Sequence, residues 1–240
     1  MKKKRLIIGS IFFLIIIFLL YISTLNNIKT SSRTIRYSVI GDSYSNGEGA
    51  TPEESWPALL TAHLNSAGIP IELISNPSVT GWTSQQAIDE ELPQFIASKP
   101  IFATLLIGVN DWVQGISPQT FEKNLIYLVD HMQTALPDKQ NLVLVTIPDF
   151  AVTSVGKEYL NGRNGEEGIA TFNGIIKREA LKRNLTVVDI FELSKEMGKN
   201  TQLVSGDGLH PSAKEYAVWE TNIYSAVQSL FKGFKVNKST

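Results

Sequence analysis

Cysteine is absent from the 240-residue chain, which excludes disulfides, thiolate metal ligands and a cysteine nucleophile. Histidine is scarce, and His63 and His131 lie in helical patterns without the ligand spacing of a zinc site. Basic residues are not in excess, because the formal net charge is −1 and becomes about −5 without residues 2–5. A nucleic-acid surface would be clearly basic. We therefore expect no metal ion and no nucleic-acid partner.

Sequence signatures of nucleotide cofactors are also missing. No P-loop sequence occurs, and Pro52 stands where a dinucleotide loop beginning at Gly47 needs its third glycine. The G-x-S-x-G elbow of the α/β-hydrolases is absent as well. We expect no cofactor, although a flavin-binding protein would use the same kind of sheet and would be coloured when purified.

The N-terminal segment differs from the rest of the chain. Residues 2–5 are basic and are followed by an uncharged run of 17 residues, 6–22, rich in Ile, Leu and Phe. This length is at the short end for a transmembrane helix, and the basic flank places the N-terminus in the cytoplasm. We predict a cytoplasmic tip and anchor over 1–22, a linker over 23–34, and one domain over 35–240 outside the cytoplasm. A cleaved signal segment, giving a secreted protein, is the alternative; the long run without an Ala-x-Ala site favours the anchor.

Short β-branched runs alternate with longer amphipathic stretches along the remaining chain. Most runs are apolar on both faces, as in buried parallel strands, and short joints connect them to the helical patterns. This alternation predicts βαβ units and an α/β fold with a mainly parallel, five-stranded sheet and helices on both faces. The predicted strands are 35–40, 71–74, 102–107, 142–147 and 185–188, and the predicted helices are 54–67, 84–97, 118–135, 166–183 and 211–231.

Residues that could take part in catalysis follow the first three predicted strands. Ser43 lies beside a glycine at the carboxyl end of the first strand, where its hydroxyl can point into a crevice. Gly81 can offer an unobstructed N–H to an incoming oxygen, and the side chain of Asn110 can donate to an oxyanion. Taken singly, each has a plain alternative as a turn, a loop glycine or a helix cap.

Asp207 and His210 follow the fifth predicted strand, three residues apart, and Pro211 is well placed as a first helical residue. One tight turn can bring the carboxylate to the imidazole Nδ1 and leave Nε2 free as a base. A capping Asp beside a surface His is the plain alternative, and Asp189 is a rival acid because it also follows the fifth strand. Together the four loops supply a nucleophile, two oxyanion donors and an acid–base pair, the groups that acyl transfer needs.

These segments resemble the four sequence blocks of the SGNH, or GDSL-type, serine hydrolases (esterases and lipases). Gly-Asp-Ser at 41–43, Asn-through-Gly at 76–81, Gly-Val-Asn-Asp at 108–111 and Asp-Gly-Leu-His-Pro at 207–211 occur in the family's order. The resemblance implies a three-layer α/β/α sandwich of flavodoxin type. It also implies catalysis by Ser43, Asp207 and His210, with an oxyanion hole formed by the N–H of Ser43, the N–H of Gly81 and the side chain of Asn110. Tyr44 departs from the Leu of many members, which bears on packing or substrate.

The predicted activity is cleavage of a carboxylic ester, with thioesterase, lysophospholipase or carbohydrate O-acetyl esterase activity as alternatives. A non-catalytic anchored binding domain is the rival from another class. Trp82 and Trp112 neighbour the oxyanion donors and are candidates for lining a lipid or glycan ester substrate, although packing is the plainer role. The polar loop 154–168 is a candidate rim. The sequence makes no prediction of oligomeric state.

Overall fold

The protein is described from a computed structural model over residues 34–231. Its centre is a five-stranded parallel sheet with strand order β2-β1-β3-β4-β5. Adjacent strands β1 and β3 lead the chain in opposite directions across the sheet, so the crevice between their carboxyl ends is the switch point of a flavodoxin-like order. The strands are β1 (Ile35–Gly41), β2 (Ile71–Ser75), β3 (Phe102–Leu106), β4 (Leu142–Val145) and β5 (Thr186–Val188).

Helices connect the strands and cover the sheet. The helix Trp56–Ser66 packs against the last described helix, Ala213–Leu230. The helices Pro118–Ala135 and Gly165–Arg183 pack against each other. This separate packing is what helices on opposite faces of the sheet give, as expected when crossovers between parallel strands are right-handed. The α-helices are α1 (Ser43–Asn46), α2 (Trp56–Ser66), α3 (Ser84–Gln86), α4 (Leu92–Ser98), α5 (Val109–Val113), α6 (Pro118–Ala135), α7 (Gly165–Arg183), α8 (Phe191–Ser194) and α9 (Ala213–Leu230).

The hydrophobic core lies between the sheet and these helices. Strands β3 and β4 are buried at every residue, as their largely apolar sequences predict. Helix α9 buries an apolar stripe at helical spacing, including Tyr216, Trp219 and Ile223. All five predicted strands and all five predicted helices are present, with boundary shifts of a few residues.

The predicted helix 84–97 is interrupted. Residues Ala87–Glu91 form a π-helical turn between α3 and α4, and Pro93 lies in the first turn of α4. Proline lacks an N–H and its ring collides with the carbonyl four residues earlier, so a regular α-helix cannot continue through it. The wider turn accommodates the proline without ending the helical segment.

Pro211 is not a first helical residue, and that prediction is wrong. It pairs with Val204 in an isolated antiparallel bridge, and α9 begins at Ala213. The flanking hydrogen bonds run from Ser205 N to His210 O and from Ser212 N to Leu203 O, both at 2.8 Å. Because the bridge uses the neighbours' N–H groups, it requires none from the proline.

Within residues 34–231 no helix is both long enough and apolar enough to cross a bilayer. The predicted anchor over 1–22 lies outside the described residues.

Candidate active site

Ser43 is placed by the sharp passage from β1 into α1. The side chain of Asp42 caps this helix by accepting a hydrogen bond from the N–H of Tyr44 at 3.1 Å. Ser43 is the first helical residue and is 5% exposed. Its hydroxyl has no hydrogen-bond partner within the described chain, and its N–H has none either. Both groups are therefore available to a ligand.

The predicted contact between Asp207 and His210 is present. Nδ1 of His210 lies 2.7 Å from Oδ2 of Asp207. Since a carboxylate only accepts, Nδ1 carries a proton, and in the neutral ring the lone pair is then on Nε2. This is the tautomer that a general base needs.

Asp207 is held in its ionised form. Partial burial raises its pKa, but hydrogen bonds from the Ser205 hydroxyl at 2.6 Å and from the N–H groups of Leu209 and His210 at 2.8 and 2.9 Å outweigh that effect. The pKa of Asp207 therefore lies well below its usual value. A carboxylate that stays charged can stabilise an imidazolium beside it.

The two remaining oxyanion candidates come from the loops after β2 and β3. Gly81 has a φ of 85°, a backbone conformation that favours glycine, and its N–H has no acceptor within residues 34–231. Asn110 lies in the first turn of α5, and its Nδ2 donates to the carbonyl of Trp82 at 2.9 Å. A side-chain amide has two N–H donors, so this bond orients the amide and leaves one donor over.

These groups meet in a single cleft of about 290 Å³ at the switch point of the sheet. The structure therefore brings Ser43, Gly81, Asn110 and His210 together, with Asp207 behind the imidazole. No hydrogen bond joins the Ser43 hydroxyl to the His210 ring within the described chain. The residues that line the cleft are Ser43, Tyr44, Thr80, Gly81, Val109, Asn110, Val113, Gln114, Phe150, Tyr159, Leu209 and His210.

Asp189, the rival acid, has other partners. It forms an ion pair with Lys177 at 2.5 Å and accepts from the hydroxyl of Thr146 at 2.9 Å. These contacts lower its pKa despite partial burial, the largest single effect, which raises it. It makes no contact with His210 in the described structure.

Neither tryptophan predicted beside the oxyanion donors is among the residues that line the cleft. Trp82 contributes its carbonyl to Asn110, and Trp112 is 7% exposed with its ring against Phe150 and Arg163. Their role toward a substrate stays a prediction. Tyr44 packs edge-on against the rings of His210 and Trp219 and also lines the cleft, so the departure at this position affects packing and the cleft alike.

Hydrogen bonds join the loops to one another, and the sequence does not predict them. Glu48 accepts a hydrogen bond from the Thr80 hydroxyl at 2.7 Å, and its carbonyl accepts one from Tyr216 at 2.8 Å. Its own N–H donates to the carbonyl of Ser43 at 3.0 Å. Glu48 thus contacts the turn that carries Ser43, the residue before Gly81 and the helix after His210. No sequence spacing signals such contacts, because the partners are far apart along the chain.

Buried acids lie close to the passage from β1 into α1. Burial raises the pKa of Asp42 to about 8 and the pKa of Glu91 to about 9, even though each accepts one backbone N–H hydrogen bond. The second oxygen of each carboxyl is buried without a hydrogen-bond partner among the described residues. Burial therefore favours the neutral form of both acids. Asp111, whose pKa burial also raises, binds the N–H of Ser84 at 2.8 Å and connects α5 to α3.

Outside the cleft, His63 pairs with Glu220 at 3.0 Å and stacks on Tyr224. His131 binds the carbonyl of Tyr127 at 2.8 Å. Within residues 34–231 no three His, Asp or Glu side chains group as metal ligands.

An unpartnered serine hydroxyl, an imidazole–carboxylate pair and free N–H donors thus lie at the switch point of the α/β sheet, and together they are the groups that acyl transfer needs. Residues 39–218 match the GDSL-like lipase/acylhydrolase family, and the chain belongs to that family. Membership supports an ester hydrolase.

Curated relatives carry several ester-cleaving activities in their names. The esterase TesA of Pseudomonas aeruginosa is 24% identical over 193 residues, which cover 80% of this chain and 87% of that protein. A thioesterase 1/protease 1/lysophospholipase L1 of Escherichia coli is 25% identical, covering 72% of this chain and 74% of that protein. Among solved structures, a family 3 carbohydrate esterase of Clostridium thermocellum superposes with a TM-score of 0.66 at 21% identity, covering 85% of this chain and all of that chain, and so shares the fold.

Proposed function

We propose that the chain is a serine hydrolase that cleaves a carboxylic ester through an acyl-enzyme on Ser43. The observation that carries the proposal is the single cleft that Ser43, Gly81, Asn110 and His210 line, with the Asp207 carboxylate bonded to the His210 ring. A domain that only binds a ligand does not need an unpartnered serine hydroxyl in the same cleft as an imidazole whose Nε2 can accept a proton. The non-catalytic binding domain is therefore the weaker reading.

The reaction proceeds in two steps. Nε2 of His210 takes the proton of the Ser43 hydroxyl while Oγ attacks the ester carbon, and the imidazolium then gives that proton to the departing alcohol. Water next attacks the acyl-enzyme and gives a proton to Nε2. The bond to Oγ breaks, the carboxylic acid leaves, and the proton returns to Ser43. The side chains of Ser43 and His210 approach one another when substrate binds, because the hydrogen bonds between catalytic groups are often long in a free enzyme and shorten in the complex.

The remaining residues stabilise charge in these steps. Asp207 stabilises the imidazolium and preserves its orientation, because its carboxylate stays ionised. The N–H groups of Ser43 and Gly81 and the spare N–H of Asn110 receive the oxyanion of each tetrahedral intermediate. None of the three has to give up an existing bond, since each donor is unused in the described structure.

The substrate is proposed only as a class. The names of the relatives span esterase, thioesterase, lysophospholipase and carbohydrate esterase. The cleft has apolar side chains along one part, which favours an ester with an aliphatic portion over a bare acetylated sugar. Thioester and lysophospholipid cleavage use the same residues and remain the second candidates.

We also propose that the domain lies outside the cytoplasm, attached to the membrane by residues 6–22, with secretion after cleavage as the alternative. The basic residues 2–5 before that apolar run motivate the proposal. Cell fractionation tests it: the full chain should follow the membrane, and protease added to intact spheroplasts should digest the domain. Recovery in the cytosolic fraction would contradict it.

The activity is tested by hydrolysis of p-nitrophenyl butanoate with the wild-type chain and Ser43→Ala. The variant should retain its circular dichroism spectrum and lose at least about a thousandfold in kcat, because no nucleophile remains. Ser45→Ala is the matched control, since Ser45 lies in the same turn with a fully buried hydroxyl. Equal activity of the wild-type chain and Ser43→Ala would refute the proposal.

A further inference from the structure

The segment 154–168 contributes one side of the cleft through a single side chain. It contains a short 3₁₀ helix, Gly156–Leu160, and Tyr159 on this helix is 43% exposed while lining the cleft. An exposed aromatic ring on a surface segment keeps one position only if the backbone that carries it is held in place. The N–H of Val155 and the hydroxyl of Ser154 both donate to the carbonyl of Gly208 and fix the start of the segment. Arg163 supplies the contacts that fix its backbone at and after Tyr159.

We propose that Arg163 is a positioning residue that holds Tyr159 as a wall of the cleft, and that this wall binds the apolar portion of an ester substrate. The inference rests on the proposed function and adds to it a residue that selects substrates. Arg163 itself is not among the residues that line the cleft.

The guanidinium of Arg163 binds the carboxyl end of α5. Nη1 donates to the carbonyl of Trp112 at 2.7 Å, and Nη2 donates to the carbonyl of Val113 at 2.9 Å. The last carbonyls of a helix lack partners within the helix and carry partial negative charge, so a cation with several donors suits them. α5 is also the helix that carries Asn110.

The same guanidinium binds the backbone of its own segment. Nε donates to the carbonyl of Leu160 at 3.2 Å, and Nη2 approaches the carbonyl of Tyr159 at 3.4 Å. One planar group therefore connects the backbone of Tyr159 to the carboxyl end of α5. Lysine cannot reproduce this arrangement, because it offers one point of charge in place of a fork.

Trp112 provides a surface on which two residues of the segment rest. The Arg163 guanidinium lies 4.0 Å from the centre of a Trp112 ring. At the C-terminal end of the segment, Gly168 packs so closely on the indole that a Cβ there would overlap it. Trp112 therefore supports the segment from below, which explains why it is buried next to an oxyanion donor.

The wall that results is apolar. Val113, Phe150, Tyr159 and Leu209 line the cleft together with the catalytic candidates. A cleft of about 290 Å³ is at the small end for ligand sites, and such walls recognise aliphatic groups by excluding water from them. An ester with an apolar acyl or alcohol portion fits this description.

Chain-length selectivity tests the proposal. We compare kcat/KM for p-nitrophenyl acetate, butanoate and octanoate, and for a matching series of alkyl acetates, in the wild type, Tyr159→Ala and Arg163→Gln. In at least one series both variants should lose about tenfold of the preference for the longer member, mainly through KM. The double variant should be no worse than Tyr159→Ala, because Arg163 acts through Tyr159.

Two further variants separate this role from general stability. Arg163→Lys should give an intermediate loss, since it keeps the charge without the fork. Arg178→Gln removes an exposed arginine that pairs with Glu122 away from the cleft and should leave both series unchanged. Unchanged selectivity in Tyr159→Ala and Arg163→Gln in both series would overturn the inference while leaving the proposed hydrolase intact.

A second readout does not require activity. Chymotrypsin under native conditions should cut Arg163→Gln after Tyr159 or Leu160 about tenfold faster than the wild type, because the segment is no longer bound to α5. Arg178→Gln should be cut at the wild-type rate. Equal cleavage of Arg163→Gln and wild type would overturn the positioning role, whereas a wild-type chain without ester hydrolysis would count against the proposed function alone.

Discussion

Asn110 has one side-chain N–H in use and one to spare. The bond from its Nδ2 to the Trp82 carbonyl orients the amide before any substrate binds. Asn110→Ala should therefore lower kcat by about a hundredfold to a thousandfold with a small change in KM, because the lost interaction forms in the transition state. Steady-state kinetics on one ester measures this, with the exposed Asn222→Ala as the control. A rise in KM alone would show that Asn110 binds the ground state instead.

We expect the same substitution, Asp to Asn, to have very different effects on kcat at positions 207 and 189. Asp207→Asn places an amide beside Nδ1 and favours the wrong tautomer, so kcat should fall by roughly a thousandfold or more. Asp189→Asn weakens an ion pair with Lys177 outside the cleft and should leave kcat within about twofold. The comparison uses kcat of both variants at one pH. If Asp189→Asn were the more damaging change, the assignment of the acid would be wrong.

At the scale of loops and helices, the sequence predicted which segments meet but not how they are joined. The apolar runs and the carboxyl-end rule were enough to bring Ser43, Asn110 and His210 to one crevice. The spacing of Asp207 and His210 predicted their contact because it is local. Glu48, Arg163 and the wall around Tyr159 were missed, since their partners depend on the packed positions of distant loops.

The Glu48–Thr80 hydrogen bond joins the turn that carries Ser43 to the loop that carries Gly81. Thr80→Val and Glu48→Ala should each lower kcat about fivefold, because the loop that carries Gly81 loses a hydrogen bond that fixes it. The double variant should be no worse than either single variant, as for two ends of one interaction. Glu48→Gln keeps an acceptor oxygen and should stay near wild type.

A double-mutant cycle on kcat for one ester measures the coupling. Additive losses in the double variant would contradict a joint role for the two side chains.

At the scale of the whole molecule, the buried acids make stability depend on pH. Burial raises the pKa of Asp42 from 3.8 to about 8 and that of Glu91 from 4.5 to about 9. Between about pH 4 and the raised values, the folded chain binds more protons than the unfolded chain, so the free energy of unfolding decreases as pH rises. One such group changes it by up to about 1.4 kcal/mol per pH unit.

Urea denaturation at several pH values between 5 and about 9 measures this dependence. Glu91→Gln should flatten the decline, because an amide does not ionise in either state. Glu90→Gln, its exposed neighbour, should leave the slope unchanged. Parallel declines in the wild type and Glu91→Gln would show that Glu91 is ionised in the folded protein.

The number and the parallel direction of the strands followed from the sequence, but two local features did not. The π-helical turn before Pro93 and the bridge at Pro211 both depend on how a proline is accommodated by packed neighbours. Proline signals that a regular helix must change, yet it does not specify whether the chain widens, bridges or stops.

The most direct test of the account is covalent labelling of the nucleophile. A fluorophosphonate probe should add one phosphonyl group to the wild-type chain, and peptide mass spectrometry should locate it on Ser43. Labelling should be lost in Ser43→Ala and slowed by at least about a hundredfold in His210→Ala, because the base no longer activates the hydroxyl. A wild-type chain that stays unmodified, or one that is modified at another serine, would contradict the account.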